Sequence, residues 1–414
     1  MAKKQKSMVP KPEFRKPPWY MNLLQRALGI YSKINYRAEF SKEQREALKP
    51  LKGKPFIALA THSSPMDFAL AGHALRPWRG SMVIAVSLFY LSAGGLARGL
   101  KNSIPKKQFT KDPVSVRNIK RMIDAGIPVL MFPEAMFTLD GNDSRLSDTH
   151  FKLLKWLKVP VVVIRVNGGY CTRPRYFRGF RKGKMVVDTN IALTAEECAT
   201  LSVKEIRERV MPLFKYSDCN FQQDNNLAFV NKKRSTTDGI IRILFVCPKC
   251  AQMHTIIEEW NAVSCTACGN KVVFNEYGKL LPESGSVAFD RLDLWCKYQY
   301  NHIKNIALSE ENYVYTEEVK LEYFNTRNGE NIPVDEGILN ISENGFEFIG
   351  KEVTKKFPLP NPPCLPMQMS SRIDLFEGDI LCKFVFKEKF RPVRAFTTVQ
   401  ALFDIKEEKA KKLQ

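Results

Sequence analysis

Pro55-Phe56-Ile57-Ala58-Leu59-Ala60-Thr61-His62-Ser63-Ser64-Pro65-Met66-Asp67 decides the fold. Residues 55–60 form a short apolar run, the signature of a buried strand. Ser64 is a good N-cap residue and Pro65 a good first helical residue, so a helix is expected straight after the strand. His62 then stands at the carboxyl end of the strand, with Asp67 in the first turn of the helix. Ligands of open α/β sheets collect at such ends. A carboxylate five residues on can hold one imidazole nitrogen while the other faces the cleft as a general base.

The pattern continues outward. Met82–Val86, Ile127–Phe132 and Pro160–Val166 read as buried strands, with helices predicted at Val114–Ala125 and Leu146–Leu157. This alternation argues for an α/β domain with a mostly parallel sheet. Ser202-Val203-Lys204-Glu205 is a capping box that opens a further helix to about Phe214. Residues 216–238 are polar and read as a linker.

Three motifs in order now resemble those of the glycerolipid acyltransferases, the 1-acylglycerol-3-phosphate acyltransferase-like family. His62 and Asp67 match H-x-x-x-x-D. Phe132-Pro133-Glu134-Ala135 matches F-P-E-G in part. Val159-Pro160 opens a buried strand as the fourth motif does. The resemblance covers roughly residues 55–170. It implies that His62 is the general base, that Asp67 orients it, and that Glu134 helps bind the acceptor. It implies transfer of a fatty acyl group from acyl-coenzyme A or acyl-carrier protein to a lysophospholipid or glycerol phosphate. The family continues its third motif as G-T-R-S, where this chain has Ala135-Met136-Phe137-Thr138. With that arginine absent, Lys106, Lys107 and Arg165 are the candidate cations for an acceptor phosphate. No G-x-S-x-G elbow is present, which argues against a serine hydrolase.

The net charge is +21, and the first 60 residues hold fourteen Lys/Arg against four Asp/Glu. Such an excess points to an anionic partner. Trp19–Arg37 reads as an amphipathic helix, either packed on the domain or lying in a lipid interface. Cys171–Lys184 interleaves Tyr176, Phe177 and Phe180 with arginines, a pattern suited to a lipid surface or to single-stranded nucleic acid. The uncharged run 80–97 reads as a strand entering a helix rather than as a membrane span. With no secretory signal in view, the expected location is cytoplasmic, peripheral on the inner face of a membrane.

Cys247-Pro248-Lys249-Cys250 and Cys265-Thr266-Ala267-Cys268 are paired knuckles that predict a structural zinc site and resemble a zinc ribbon. Beyond them, strand-like runs at Val319–Phe324, Gly337–Ile341, Phe346–Ile349 and Ile380–Phe386 precede a helix near Phe396–Phe403. Asn344-Gly345 marks a hairpin. Strands closed by a helix resemble a pleckstrin-homology/GRAM-like barrel. The expected organisation is a basic arm and helical lead (1–54), an acyltransferase domain (55–238), a zinc ribbon (239–285) and a β-rich accessory domain (286–414). Two other readings start from the same residues. One is a lipid-binding relative without turnover. The other is a zinc-ribbon nucleic-acid-binding protein, which leaves His62, Asp67 and Glu134 unexplained.

Overall fold

The computed structural model describes residues 9–90 and 102–412. Its first sheet has seven strands: β1 (Ala38–Phe40), β2 (Ile57–Ala60), β3 (Ser81–Ala85), β4 (Ile104–Lys106), β5 (Val129–Met131), β6 (Val161–Asn167) and β7 (Met185–Leu193). Their order is β1-β7-β6-β2-β5-β3-β4. All neighbours are parallel except β6 and β7. After β3 the chain forms a short 3-10 helix at Val86–Tyr90, and the rest of the helix expected there lies outside the described residues.

One-turn helices aside, this half contains α1 (Tyr20–Tyr36), α2 (Asp67–Ala74), α3 (Pro113–Asp124), α4 (Asp148–Leu157), α5 (Val203–Phe214) and α6 (Asp218–Asp224). The two-residue repeat of the strands sorts the core into two layers. Ile57, Leu59, Val129, Met131, Val161 and Val163 face α3, α4 and α5. Ala58, Ala60, Leu130, Val162 and Ile164 face the opposite layer with Leu70, Ala71 and Tyr36. Strands buried on both faces read as continuous apolar runs, which is why β2, β5 and β6 are plain in the sequence.

Helix α1 crosses α2 closely. A Cβ on Gly29 would lie 1.8 Å from the His73 Nδ1. Its buried positions are Gly29, Ser32 and Tyr36, while Trp19, Leu23, Ile30, Tyr31 and Ile34 are exposed. The apolar stripe of Leu23, Ile30, Tyr31 and Ile34 therefore faces outward, while Leu24 and Leu28 are half-buried.

A second sheet, β8 (Ile256–Glu259), β9 (Ala262–Cys265), β10 (Lys271–Phe274) and β11 (Leu280–Pro282), is antiparallel throughout. Helix α7 (Leu292–Ser309) follows. The third sheet comprises β12 (Tyr315–Asn325), β13 (Asn331–Ser342), β14 (Gly345–Gly350), β15 (Thr354–Phe357), β16 (Met367–Gln368), β17 (Arg372–Glu377) and β18 (Ile380–Phe386). It runs β15-β14-β13-β12-β18-β17-β16, antiparallel at every step, before the terminal α8 (Pro392–Lys412). One hydrophobic cluster joins both of these sheets, α7 and α8, and it extends to Met136, Tyr170 and Phe177 of the first half.

Two sequence readings are corrected here. Residues 216–238 are not a polar linker: Tyr216, Asp218, Cys219 and Phe229 are buried, and α6 lies among them. The stretch 171–184 is not an exposed binding platform either. Tyr176 and Phe177 are buried, and Arg181 stacks on both rings at 5.7 and 4.3 Å from their centroids. Alternating arginines and aromatics serve an internal cation–π stack as well as a surface.

Candidate active site

The chain leaves β2 through Thr61, whose hydroxyl accepts the Val166 N–H at 2.9 Å and ties the exit to β6. His62 follows, its side chain 19% exposed, with Nδ1 3.3 Å from Asp67 Oδ2. Asp67 is fully buried. It accepts the Ser64 N–H at 2.8 Å and the Ser64 hydroxyl at 2.9 Å. Donors thus reach both of its oxygens and fix the carboxylate's orientation. The helix begins at Asp67 rather than at Pro65, because the Ser64 hydroxyl donates to Asp67 while accepting the Met66 N–H. Gly169 backs onto this turn, and a Cβ there would fall 2.2 Å from Ser63 Oγ.

Glu134 lies at the end of β5 and is 3% exposed. Its Oε2 accepts the His62 N–H at 2.6 Å, and its Oε1 accepts the Ser144 N–H at 2.8 Å. One carboxylate thus joins the first- and third-motif turns. Burial pushes the Glu134 carboxyl up to about 8, against the pull of those two N–H groups. Ala135, where the family has glycine, adopts φ +60°, a conformation costing about 1–2 kcal/mol in a residue with a Cβ.

The Glu134 shift has a consequence for stability. A carboxyl with a raised folded-state pKa keeps its proton after the unfolded chain has lost it, so folding is favoured at low pH. Stability contributed here is full below about 4.5 and is lost as pH rises through about 8. Glu134→Gln is expected to flatten the denaturant-stability profile across that window by a few kcal/mol, about 1.4 kcal/mol for each unit removed. An unchanged slope would count against this titration.

The three candidate cations are placed differently. Lys107 turns away to the third sheet, where its Nζ donates to the Gly378 carbonyl at 2.8 Å and pairs with Asp379 at 2.5 Å. Arg165 pairs with Asp188 at 3.0 Å and reaches the Lys215 carbonyl at 3.4 Å. Lys106 is half-buried, and burial pulls its ammonium below the usual lysine range. Gln108, just after β4, donates to the Ala135 carbonyl and so ties this edge to the third-motif turn.

Several supports escaped the sequence reading. Asp218 accepts the Gly168 and Tyr170 N–H groups at 2.8 and 2.6 Å. Its carboxyl is pushed up by burial to about 7. Phe132 stacks on His62 with centroids 4.4 Å apart, and Phe137 meets it from another side at 4.2 Å. No local pattern announces these contacts, because their partners lie on separate elements.

The four predicted cysteines converge. Cys247 Sγ lies 3.7 Å from Cys268 Sγ, and Cys250 Sγ lies 3.8 Å from Cys265 Sγ. All four sulfurs fall within 4.8 Å of one another. A tetrahedral ion with bonds of about 2.3 Å requires sulfur separations of about 3.8 Å. The donor set therefore fits a closed four-thiolate metal site. Ala251 and Gly269, which follow the two knuckles, take the same left-handed turn at φ +57° and +70°. His254 stacks on Phe245 instead of joining the set.

Residues 38–167, from β1 to the end of β6, match the family model described as Acyltransferase. This part of the chain is similar to an acyltransferase domain. His62 and Glu134 follow the carboxyl ends of two strands of its mostly parallel sheet, and Asp67 opens the helix between them. Among solved structures, a 1-acyl-sn-glycerophosphate (LPA) acyltransferase, PlsC, from Thermotoga maritima is similar at 17% identity and a TM-score of 0.38. That match covers 46% of this chain and 78% of that one. No curated protein matches the chain.

Proposed function

We propose that the acyltransferase domain moves a fatty acyl group from a coenzyme A or carrier-protein thioester to a glycerolipid hydroxyl in phospholipid synthesis. The observation that carries this reading is His62, held through Nδ1 by the buried Asp67 at the carboxyl end of β2. Nε2 is then placed to take the proton of the acceptor hydroxyl as its oxygen attacks the thioester carbonyl. Collapse of the tetrahedral adduct breaks the carbon–sulfur bond. The thiolate leaves with the proton carried by the imidazolium, so ester and free thiol are the products. Asp67 stabilises the imidazolium during this sequence. Glu134 holds the His62 turn through the backbone. The test is labelled acyl transfer by the purified chain with both kinds of thioester and a set of glycerolipid acceptors.

The outward apolar stripe of α1 supports attachment to the membrane that holds the acceptor. Lys33, Arg26 and Arg37 add cations suited to anionic headgroups. Beneath α1 lies an apolar cavity of about 610 Å³, lined by Leu24, Leu28, Phe56, Phe68, Leu75 and Trp78, which offers room for an acyl tail. No described helix is long and apolar enough to cross a membrane. Leu23→Asp combined with Ile34→Asp is expected to weaken sedimentation with anionic vesicles at least tenfold, since each large apolar side chain contributes about 1.5–3 kcal/mol on burial. Equal binding by the variant would remove α1 from the membrane interface.

We assign structural zinc to the four cysteines, since four thiolates at tetrahedral spacing fill its coordination and leave no open position. Residues 239–285 are then a zinc ribbon. The seven antiparallel strands closed by α8 support reading residues 286–414 as the pleckstrin-homology/GRAM-like unit. The nucleic-acid alternative, built on the zinc ribbon and the positive charge, leaves His62, Asp67 and Glu134 unexplained, and it gains nothing from 171–184, where Tyr176 and Phe177 are internal.

A further inference from the structure

We propose that Phe137 sets the acceptor class, so that the site takes a glycerolipid alcohol carrying no phosphate monoester. Lysophosphatidylethanolamine and monoacylglycerol belong to that class; lysophosphatidic acid and glycerol 3-phosphate do not. The proposal rests on the acyl-transfer reading above.

The argument begins with what surrounds the base. His62 is flanked by Phe132 and Phe137, with ring centroids 4.4 and 4.2 Å away. Rings cannot replace the water shell of a phosphate dianion, and an unpaired buried charge is costly. A dianion therefore needs cations, and two of the three candidate cations are committed elsewhere. Lys107 is held by Asp379 and the Gly378 carbonyl, and Arg165 by Asp188 and the Lys215 carbonyl. Lys106 is half-buried and faces the field of Asp112.

Beyond Phe137 the surroundings grow more hostile to an anion. Phe137 and Glu134 line a cavity of about 400 Å³ between the third-motif loop, α7 and α8. Its walls carry five acidic side chains and two basic ones, and Arg145, one of the two, is paired with Asp404 at 2.8 Å. Burial raises the carboxyls of Glu134, Asp140 and Asp143, so these walls disfavour negative charge through lost hydration, and a phosphate dianion placed there would meet the same cost. A hydroxyl, an amine or a phosphodiester at the cavity mouth meets less of it. Phe137 joins the two observations, touching the base on one side and the acidic cavity on the other.

The experiment compares kcat/KM for lysophosphatidylethanolamine and lysophosphatidic acid in vesicles of fixed composition, using the full chain. The wild type is expected to favour the first by at least about tenfold, equivalent to about 1.4 kcal/mol. Phe137→Arg should shrink that ratio by a similar factor, while Phe137→Leu should preserve it. A structural role alone would lower both substrates together and leave the ratio fixed. Equal or better use of lysophosphatidic acid by the wild type would overturn the proposal. Should no acceptor turn over, calorimetric titration with glycerophosphoethanolamine and glycerol 3-phosphate decides instead. Preference for the diester upholds the proposal and sinks only the acyl-transfer reading; equal or tighter binding of glycerol 3-phosphate overturns it.

Discussion

His62→Ala is expected to lower acyl transfer by about 10²–10⁴-fold, the usual contribution of a positioned general base. Circular dichroism and metal content should stay unchanged, because the imidazole is partly exposed and its packing partners, Phe132 and Phe137, can close over the space. Asp67→Asn should fall nearly as far for a different reason. The amide cannot accept from the Ser64 N–H, the Ser64 hydroxyl and the imidazole as a carboxylate does, and it offers the imidazolium no charge. Its effect should appear in kcat more than in KM, since the charge matters once the proton has moved. Full activity in either variant would remove the pair from the chemistry.

The second large effect concerns the metal. Cys247→Ser, or chelation, is expected to destabilise the C-terminal half by about 5 kcal/mol or more, because structural zinc contributes about 10–16 kcal/mol of binding energy to small sites. The loss should spread beyond the knuckles. Gln299 of α7 accepts the Phe245 and Val246 N–H groups at 2.6 and 2.9 Å, and the Trp295 indole donates to the Val246 carbonyl at 2.9 Å. The segment entering the first knuckle is thus fastened to the helix that packs against α8. Thermal unfolding followed by tryptophan fluorescence, with released metal measured alongside, would show one coupled transition. Metal loss without a shift in melting would separate the cysteine site from the fold.

What could be read from the sequence follows the range of the interactions. The strand–turn–helix at His62, the capping box at Ser202 and the hairpin at Asn344-Gly345 are local devices, and each is present, although the helix after His62 starts at Asp67 and not at Pro65. The cysteine spacing likewise contains its own geometry. The antiparallel direction of β7 was not legible, since it is fixed by pairing with β6 on one edge and β1 on the other and not by its own residues. Asp218 lay hidden in a polar stretch because its partners, Gly168 and Tyr170, are fifty residues away. Arg181 stacks inward where the pattern allowed an outward surface, and burial is a property of the whole fold. Lys107 was read beside the acceptor site from its place near β4, yet a carboxylate 272 residues later holds it.

Product formation tests the central claim most directly. The purified full chain, loaded with zinc, would be incubated on vesicles with labelled acyl-coenzyme A or acyl-carrier protein and a panel of lysophospholipids and monoacylglycerol. The predicted result is labelled diacyl lipid formed by the wild type and absent with His62→Ala. No labelled lipid from any donor and acceptor, with folded and metal-loaded protein, would contradict it and leave a lipid-binding relative without turnover.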